Sequence, residues 1–324
     1  YALKLGLESD VVITGAAPNI FTDERLKQNK LTFRYGERIF KVSPYAKFNP
    51  RILKMLYLNY TRYRNKNLFM LCNGAFVHQD LRWAKIKPEK MYKWGYFTKV
   101  TPLHAAKVLE NKRQAKIKLL FVARLIPLKH PDMLIDLGEM LKAKGYDFEI
   151  NIIGTGEMET ELKRSTTERQ LEHNIHFLGN LPNNRVLEEM QSNNALIFTS
   201  DRNEGWGAVI NEAMSNACTV VASHIVGSIP FLIQHGKSGL VFKSGDIKDL
   251  FKKVEQLILN RASAEQMALQ AYHDISSIWS PQNAANNFLK LAESKLNNCK
   301  STIIQGPCTE AEYFPENWFD KISD

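Results

Sequence analysis

The chain has 324 residues, 44% of them hydrophobic and 24% charged, an ordinary globular balance that excludes a disordered polymer and suits about two domains. No uninterrupted apolar stretch approaches the roughly 20 residues of a membrane helix, and residues 1–10 show no basic-then-apolar leader pattern. The net charge of +9 is lopsided: residues 1–115 carry 22 Lys and Arg against 8 Asp and Glu, a net of +14, and the remainder is net −5.

In chain order, residues 10–15 read as a strand entering a glycine turn, and residues 68–72 as another. Between them residues 51–64 read as a helix, with Tyr57, Tyr60 and Tyr63 beside Arg51, Lys54, Arg62 and Arg64. Such a stripe suits three settings: an anionic membrane surface, single-stranded nucleic acid, or packing on the helix's own sheet. Residues 97–115 are polar and basic and contain Pro102, so the connection between domains is expected there, with a first domain over 1–100 and a linker over 101–115.

The second part is more regular. Residues 116–123 form a short apolar run with the character of a buried parallel strand. Residues 131–144 follow as a helix, with Met133, Leu134, Leu137, Met140 and Leu141 at helical spacing and Gly145 ending it. Strands over 148–153, 175–178, 195–199 and 219–222 alternate with helices over 157–169, 184–191 and 208–216. Five strands alternating with helices predict a doubly wound parallel sheet over 116–279. A helix from Pro281 to about residue 298 and a looser tail complete the chain over 280–324. Cys72, Cys218, Cys299 and Cys308 have no C-x-x-C spacing, which disfavours structural zinc or a disulfide framework and fits a reducing compartment.

Ligands of such sheets bind at the carboxyl ends of strands. Arg124 follows the first strand and Lys129 comes five positions later, two cations suited to a diphosphate. Gly154 and Gly156 would let a backbone approach a ligand closely, but Glu159 stands where a dinucleotide fingerprint needs a third small residue, which disfavours NAD. Gly205 and Gly207 bracket the start of a helix whose free N–H groups suit an anion. Glu204 precedes this turn, and Glu212 sits two turns into a helix that reads as mostly buried, where an unpaired carboxylate is costly. Gly236-Lys237-Ser238 lacks the upstream glycine of a phosphate loop, since Phe231 occupies that place, and His78, His104, His173 and His176 form no ligand set by spacing.

Taken together, Arg124-x4-Lys129, the Gly154-Thr155-Gly156 turn and Glu204-x7-Glu212 resemble glycosyltransferase family 4, over about residues 116–260. Residues 33–40 (FRYGERIF) and 93–97 (KWGYF) are further similar to bacterial members that build capsular or cell-surface polysaccharide. The resemblance implies a GT-B fold, two Rossmann-like doubly wound domains facing a cleft, and a retaining transfer from a nucleotide sugar, UDP- or GDP-linked, with no metal and no other cofactor. It implies that Arg124 and Lys129 neutralise the donor diphosphate, that Glu204 takes the donor-sugar hydroxyls and Glu212 the ribose, and that Phe177, Leu178 and Gly179 line the base. Gly154, Gly156, Gly205, Trp206, Gly207, Ala208 and Val209 would complete the donor pocket through their backbones. The implied acceptor is a saccharide or a polyprenyl-diphosphate-linked saccharide, and the implied location is the cytoplasm, peripheral on the inner face of the membrane, with no nucleic acid as partner. No strand with a glycine-rich acceptor loop opens the chain before Asp10 and there is no initiator Met, so an incomplete first domain is expected. The tail after residue 280 is expected to cross back to that domain. The alternatives are another GT-B enzyme, such as a sugar-nucleotide epimerase, and a non-catalytic module binding an anionic membrane or nucleic acid.

Overall fold

The computed structural model describes residues 1–113 and 116–321, so the last two residues of the stretch read as a linker lie outside the described residues, as do 322–324. The chain divides into two compact units, one of residues 1–97 and 281–318, the other of residues 98–280 with the end of the tail.

In the smaller unit α1 (Ala2–Glu8), β1 (Val12–Thr14), α2 (Ile20–Lys27), β2 (Thr32–Gly36), α3 (Pro50–Asn59), β3 (Leu68–Asn73), α4 (Val77–Trp83) and β4 (Met91–Trp94) alternate along the chain. The four strands are parallel and lie in sequence order. Sequence reading found β1, β3 and the helix at α3, but not β2 or β4. Residues 51–64 are not one helix. Pro50 occupies the first turn and Asn49 caps it, its Oδ1 accepting from Arg51 N at 2.9 Å, but α3 stops at Asn59 and a 3-10 turn follows over Thr61–Tyr63. The expected aromatic and basic stripe is divided accordingly. Tyr63 is buried, Arg62 forks onto Asp23 at 2.7 and 2.8 Å, and Tyr60 lies half-buried under the Arg34 guanidinium, while Tyr57, Arg51 and Lys54 stay exposed.

The larger unit holds α5 (Ala105–Asn111), β5 (Ile117–Val122), α6 (Asp132–Ala143), β6 (Phe148–Ile153), α7 (Glu159–Glu168), β7 (Ile175–Gly179), α8 (Asn183–Ser192), β8 (Ala195–Phe198), α9 (Ala208–Ser215), β9 (Thr219–Ser223), α10 (Ile229–Leu232), β10 (Leu240–Phe242), α11 (Ile247–Leu259) and α12 (Arg261–Ser277). Its strands form one parallel sheet in the order β7-β6-β5-β8-β9-β10. The sheet thus has six strands where sequence predicted five, β10 being the addition. It is doubly wound, since strand order reverses between β5 and β8, and there the loops leaving neighbouring strands diverge. Ile117, Leu119 and Phe121 of β5 pack on Met133, Leu134, Leu137 and Leu141 of α6, the apolar stripe read from sequence. The stretch expected as a linker carries α5, whose Ala105 and Leu109 are buried against Ala217 and Ala268. Burial of those two side chains makes it part of this unit rather than a tether.

Residues 281–318 belong to the smaller unit. There α13 (Pro281–Leu296) lays Phe288 edge-on to Phe33 of β2, 5.0 Å between centroids. The following segment pairs with β4 through Cys308 N to Lys93 O (2.8 Å), Lys93 N to Thr309 O (2.8 Å) and Ala311 N to Met91 O (2.9 Å). Those bonds cover what would otherwise be an open sheet edge.

Candidate functional site

At the carboxyl ends of β5, β6 and β7 the chain is laced across strands by its own backbone. Ala123 N donates to Ile153 O at 3.1 Å, Leu125 N to Thr155 O at 2.9 Å, Met158 N to Leu125 O at 3.0 Å and Gly154 N to Gly179 O at 2.8 Å. This contact is what the Gly-x-Gly turn is for. Gly154 has φ +125°, and a Cβ there would stand 2.0 Å from Ala123 O; a Cβ on Gly156 would stand 2.3 Å from Leu125 O. The sequence reading gave these glycines to the close approach of a ligand; the structure shows that they also admit the neighbouring loop, at contacts no Cβ tolerates. Phe177 is half-buried on the core, Leu178 is exposed, and Gly179, at φ +65°, faces open space.

The loops leaving β5 and β8 meet at the reversal of strand order. Asp201 N donates to Leu128 O at 3.0 Å, and Thr199 Oγ1 donates to Lys129 O at 2.6 Å and to His130 O at 3.1 Å. His130 turns there with φ +46°, and its Nε2 lies 3.7 Å from Asp201 Oδ2. These bonds bring Lys129 to Glu204, where the two half-buried side chains form an ion pair, and the ammonium also sits 5.6 Å from the centre of the Phe198 ring. Arg124 is exposed just past the end of β5. Thr199, Asp201 and His130 were not singled out from sequence. Their role is to bond one loop to the other, and no spacing motif announces it.

Beside this pair α9 begins. Gly207 caps it at φ +78°, with Phe198 Cζ only 2.6 Å from where a Cβ would be, so a side chain is excluded on both counts. The first backbone N–H groups of α9, at Ala208 and Val209, have no partner within the helix and offer an anion site. Gly205 and Trp206 are buried. The Trp206 indole donates to Asn211 Oδ1 at 2.8 Å and packs 6.0 Å from the Trp279 ring, while its carbonyl accepts from Ser228 Oγ. The Trp206 ring therefore serves the core. Glu212 is half-buried, with no hydrogen bond or ion pair to its carboxylate among the described residues, and burial raises its pKa above the ordinary carboxylate value.

The carboxyl edge of the smaller sheet carries a second group of polar side chains. Glu37, just past β2, accepts from Tyr96 Oη at 2.6 Å and from Lys41 Nζ. Burial alone would raise its pKa, but these two bonds outweigh that and hold it below the usual carboxylate range. Tyr96 is pushed up to about 12, by burial first and then by Glu37. The Tyr35 ring lies over Gly15, where a Cβ would stand 2.4 Å from it. Asp80 of α4 is buried, which raises its pKa; it accepts from Ile39 N (2.7 Å) and Phe40 N (3.0 Å), with Arg38 Nε 3.9 Å away. Thr14 Oγ1 and Asn73 Oδ1, at the ends of β1 and β3, are buried without a partner among the described residues. Unsatisfied buried polar atoms at the ends of parallel strands are a mark of a ligand edge.

Residues 106–274 match the family described as Glycosyl transferases group 1. The chain is 25% identical to a poly(ribitol-phosphate) alpha-N-acetylglucosaminyltransferase of Staphylococcus aureus (strain COL), over 53% of this chain and 34% of that one. It is 27% identical to the amylovoran biosynthesis glycosyltransferase AmsK of Erwinia amylovora, over 57% and 46%. With the capsular polysaccharide biosynthesis glycosyltransferase CapM of Staphylococcus aureus it shares 25% over 54% and 47%. The chain thus spans between a third and a half of the length of these relatives. Among solved structures it resembles HepE of Anabaena in complex with UDP (TM-score 0.70, 18% identity, 89% of this chain and 80% of that one). It also resembles a TarM variant of S. aureus in complex with fondaparinux, alpha-GlcNAc-glycerol and UDP (TM-score 0.63, 18%, 92% and 57%). These likenesses show the fold, two parallel-sheet Rossmann-like units of the GT-B class expected from sequence.

Proposed function

The chain belongs to the group 1 glycosyl transferases, and from that premise we propose that it is a retaining, family 4 glycosyltransferase drawing on a UDP- or GDP-linked sugar. The observation that carries this reading is Glu212, a half-buried carboxylate without a partner among the described residues, on a helix whose glycine-capped N-terminus offers free N–H groups. A ribose diol donates two hydrogen bonds to such a carboxylate, and the diphosphate falls to the helix terminus, Arg124 and Lys129. A diphosphate at Lys129 competes with Glu204 for the ammonium and releases Glu204 to the hydroxyls of the donor sugar. In the transfer the bond between the anomeric carbon and the phosphate oxygen breaks. The acceptor oxygen bonds to the same carbon on the same face, and its proton passes to the leaving phosphate. Lys129, Arg124 and the α9 N–H groups stabilise the charge that builds on that phosphate. The reaction needs no nucleophile from the chain.

We place the acceptor at the carboxyl edge of the smaller sheet, where Glu37 and Asn73 offer hydrogen-bond acceptors and Tyr35 and Tyr96 are partly exposed rings for a sugar face. The relatives' activity on surface polysaccharides supports an acceptor of that class, free or carried on a polyprenyl diphosphate. A cytoplasmic, membrane-peripheral setting is supported by the smaller unit's exposed Tyr45, Phe48 and Trp83, with Lys47 Nζ 5.3 and 5.0 Å from the last two rings. Sedimentation with anionic vesicles, lost on Phe48→Ser with Trp83→Ser, checks that setting, and retention in the variant refutes it.

The donor site is tested by thermal unfolding with UDP, GDP and ADP. A nucleotide at 100 times its Kd adds about 2.7 kcal/mol to the unit that binds it, a shift of several degrees. Stabilisation by one nucleotide, abolished in Glu212→Ala, is the expected result. No response to any of the three overturns the reading.

A further inference from the structure

A second recess lies on the smaller unit, on the flank of α4. It is an open groove of about 610 Å³, lined by His78 and Arg82 of α4, the turn Lys85 to Pro88, and Ala311 and Tyr313 of the tail. Its lining holds three cations, an imidazole and an aromatic ring, and no acid. Of the neighbouring carboxylates, Glu312 pairs with Lys93 at 2.6 Å, and Glu89 forms an exposed ion pair with Lys87 at 3.8 Å, a weak contact that a phosphate can displace. Arg82 is held in place, its guanidinium 5.5 Å over the Tyr313 ring, which also meets the His78 ring edge-on at 6.1 Å. His78 is 4% exposed, and its Nδ1 finds no partner among the described residues. Lys85 holds the left-handed conformation at φ +57°, uncommon for a residue with a side chain. α4 and the left-handed turn thus supply the three cations, and the returning tail supplies the ring that Arg82 lies over.

We propose that this groove binds a phosphodiester-linked polyol or saccharide chain, with Arg82, Lys85 and Lys87 on the phosphates, His78 as a hydrogen-bond partner and the Tyr313 ring against a sugar or polyol unit. A phosphodiester carries one negative charge per repeat, which three neighbouring cations match. A lipid surface is the poorer match, since Ile86 and Ala311 are buried in the floor and the Tyr313 ring is held under the Arg82 guanidinium. A polynucleotide would want successive stacking platforms, and the groove offers one ring. The groove's assignment rests on its own residues; that its occupant is the polymer to be glycosylated rests on the transferase reading above.

The test is calorimetric titration of the full chain with a synthetic glycerol-phosphate oligomer, at low and at physiological salt. Arg82, Lys85 and Lys87 are exposed, so Arg82→Gln, Lys85→Asn and Lys87→Gln together leave the fold intact, and Asn suits the left-handed turn. Binding should weaken roughly tenfold or more in that triple variant, fall with salt in the wild type, and weaken less in Tyr313→Ala. Equal affinity of wild type and triple variant overturns the proposal. So does binding of phosphatidylglycerol vesicles or single-stranded DNA through these residues with the oligomer ignored, or inorganic phosphate binding as tightly as the oligomer. The nucleotide response of the larger unit, read by thermal unfolding of the same triple variant, should be unchanged. A failure of the groove and a failure of the donor site are therefore seen separately.

Discussion

At the carboxyl edge of the larger sheet the main chain holds the loops, whereas at that of the smaller sheet side chains hold them. Loops after β5, β6 and β7 exchange backbone hydrogen bonds at 2.8 to 3.1 Å, and glycines are required wherever two of them touch. In the smaller unit the loop after β2 is tied by one carboxylate, Asp80, which accepts from two successive N–H groups, and by Arg38, whose guanidinium reaches Glu316 of the tail. The contrast has a chemical consequence. A backbone lattice leaves Glu212 and the α9 terminus free for a ligand, while an edge built of side chains spends much of its charge on its own structure.

The comparison breaks most visibly at Gly154. Alanine there combines a φ of +125° with a Cβ 2.0 Å from Ala123 O, so the loops must part. Gly154→Ala should cost roughly 3 kcal/mol or more in denaturant unfolding of the larger unit. Gly145→Ala, at φ +74° in open space, should cost about 1 kcal/mol and serves as the control. Equal losses at the two positions would mean that the lattice does not hold the edge.

A second break is expected at Asp80. Alanine leaves the Ile39 and Phe40 N–H groups unsatisfied, with Arg38 robbed of a neighbouring carboxylate, at a cost of about 2 to 3 kcal/mol. The loss should appear in protection of the smaller unit's amides against hydrogen exchange, and leave the nucleotide response of the larger unit unchanged. A loss confined to the larger unit would contradict the assignment.

The same contrast explains what the sequence disclosed. Strands such as Phe148–Ile153 are near-continuous apolar runs, and the glycine-and-carboxylate spacing of the larger unit is local, so fold class and candidate donor residues could be read together. β2 and β4 escaped because each carries a cation inside the strand, Arg34 and Lys93. Buried Arg34 donates from its two terminal nitrogens to Asn59 O and Thr22 Oγ1, partners that no local pattern announces. β10 is three residues long. α2 lacks an apolar stripe, since it turns Arg25 inward to bond Gly6 O, Asp10 O and Leu31 O at 2.6 to 2.7 Å. The groove on α4 was beyond sequence reading for another reason: it joins His78 to Tyr313, brought together only when the tail returns along β4. The pairing of Lys129 with Glu204 was hidden likewise, since R-x4-K and E-x7-E are read as separate motifs until β5 and β8 stand side by side.

The smallest effect expected is the most specific. Glu212 has its folded pKa raised by burial, so its contribution to stability is fully present below the unfolded value near 4.5 and is lost as pH rises through the folded one. At neutral pH the ionised carboxylate is a cost. Glu212→Gln should therefore stabilise the chain at pH 7, by less than about 1 kcal/mol because the group is partly solvated, and the gain should vanish as pH falls below about 4. Nucleotide binding should weaken in the same variant, since a neutral amide is a poorer acceptor for a diol than a carboxylate. Stability and binding moving in opposite directions is the signature of a carboxylate kept for a ligand. Destabilisation at pH 7 would instead mean that Glu212 supports the fold, and the donor site would then have to be sought without it.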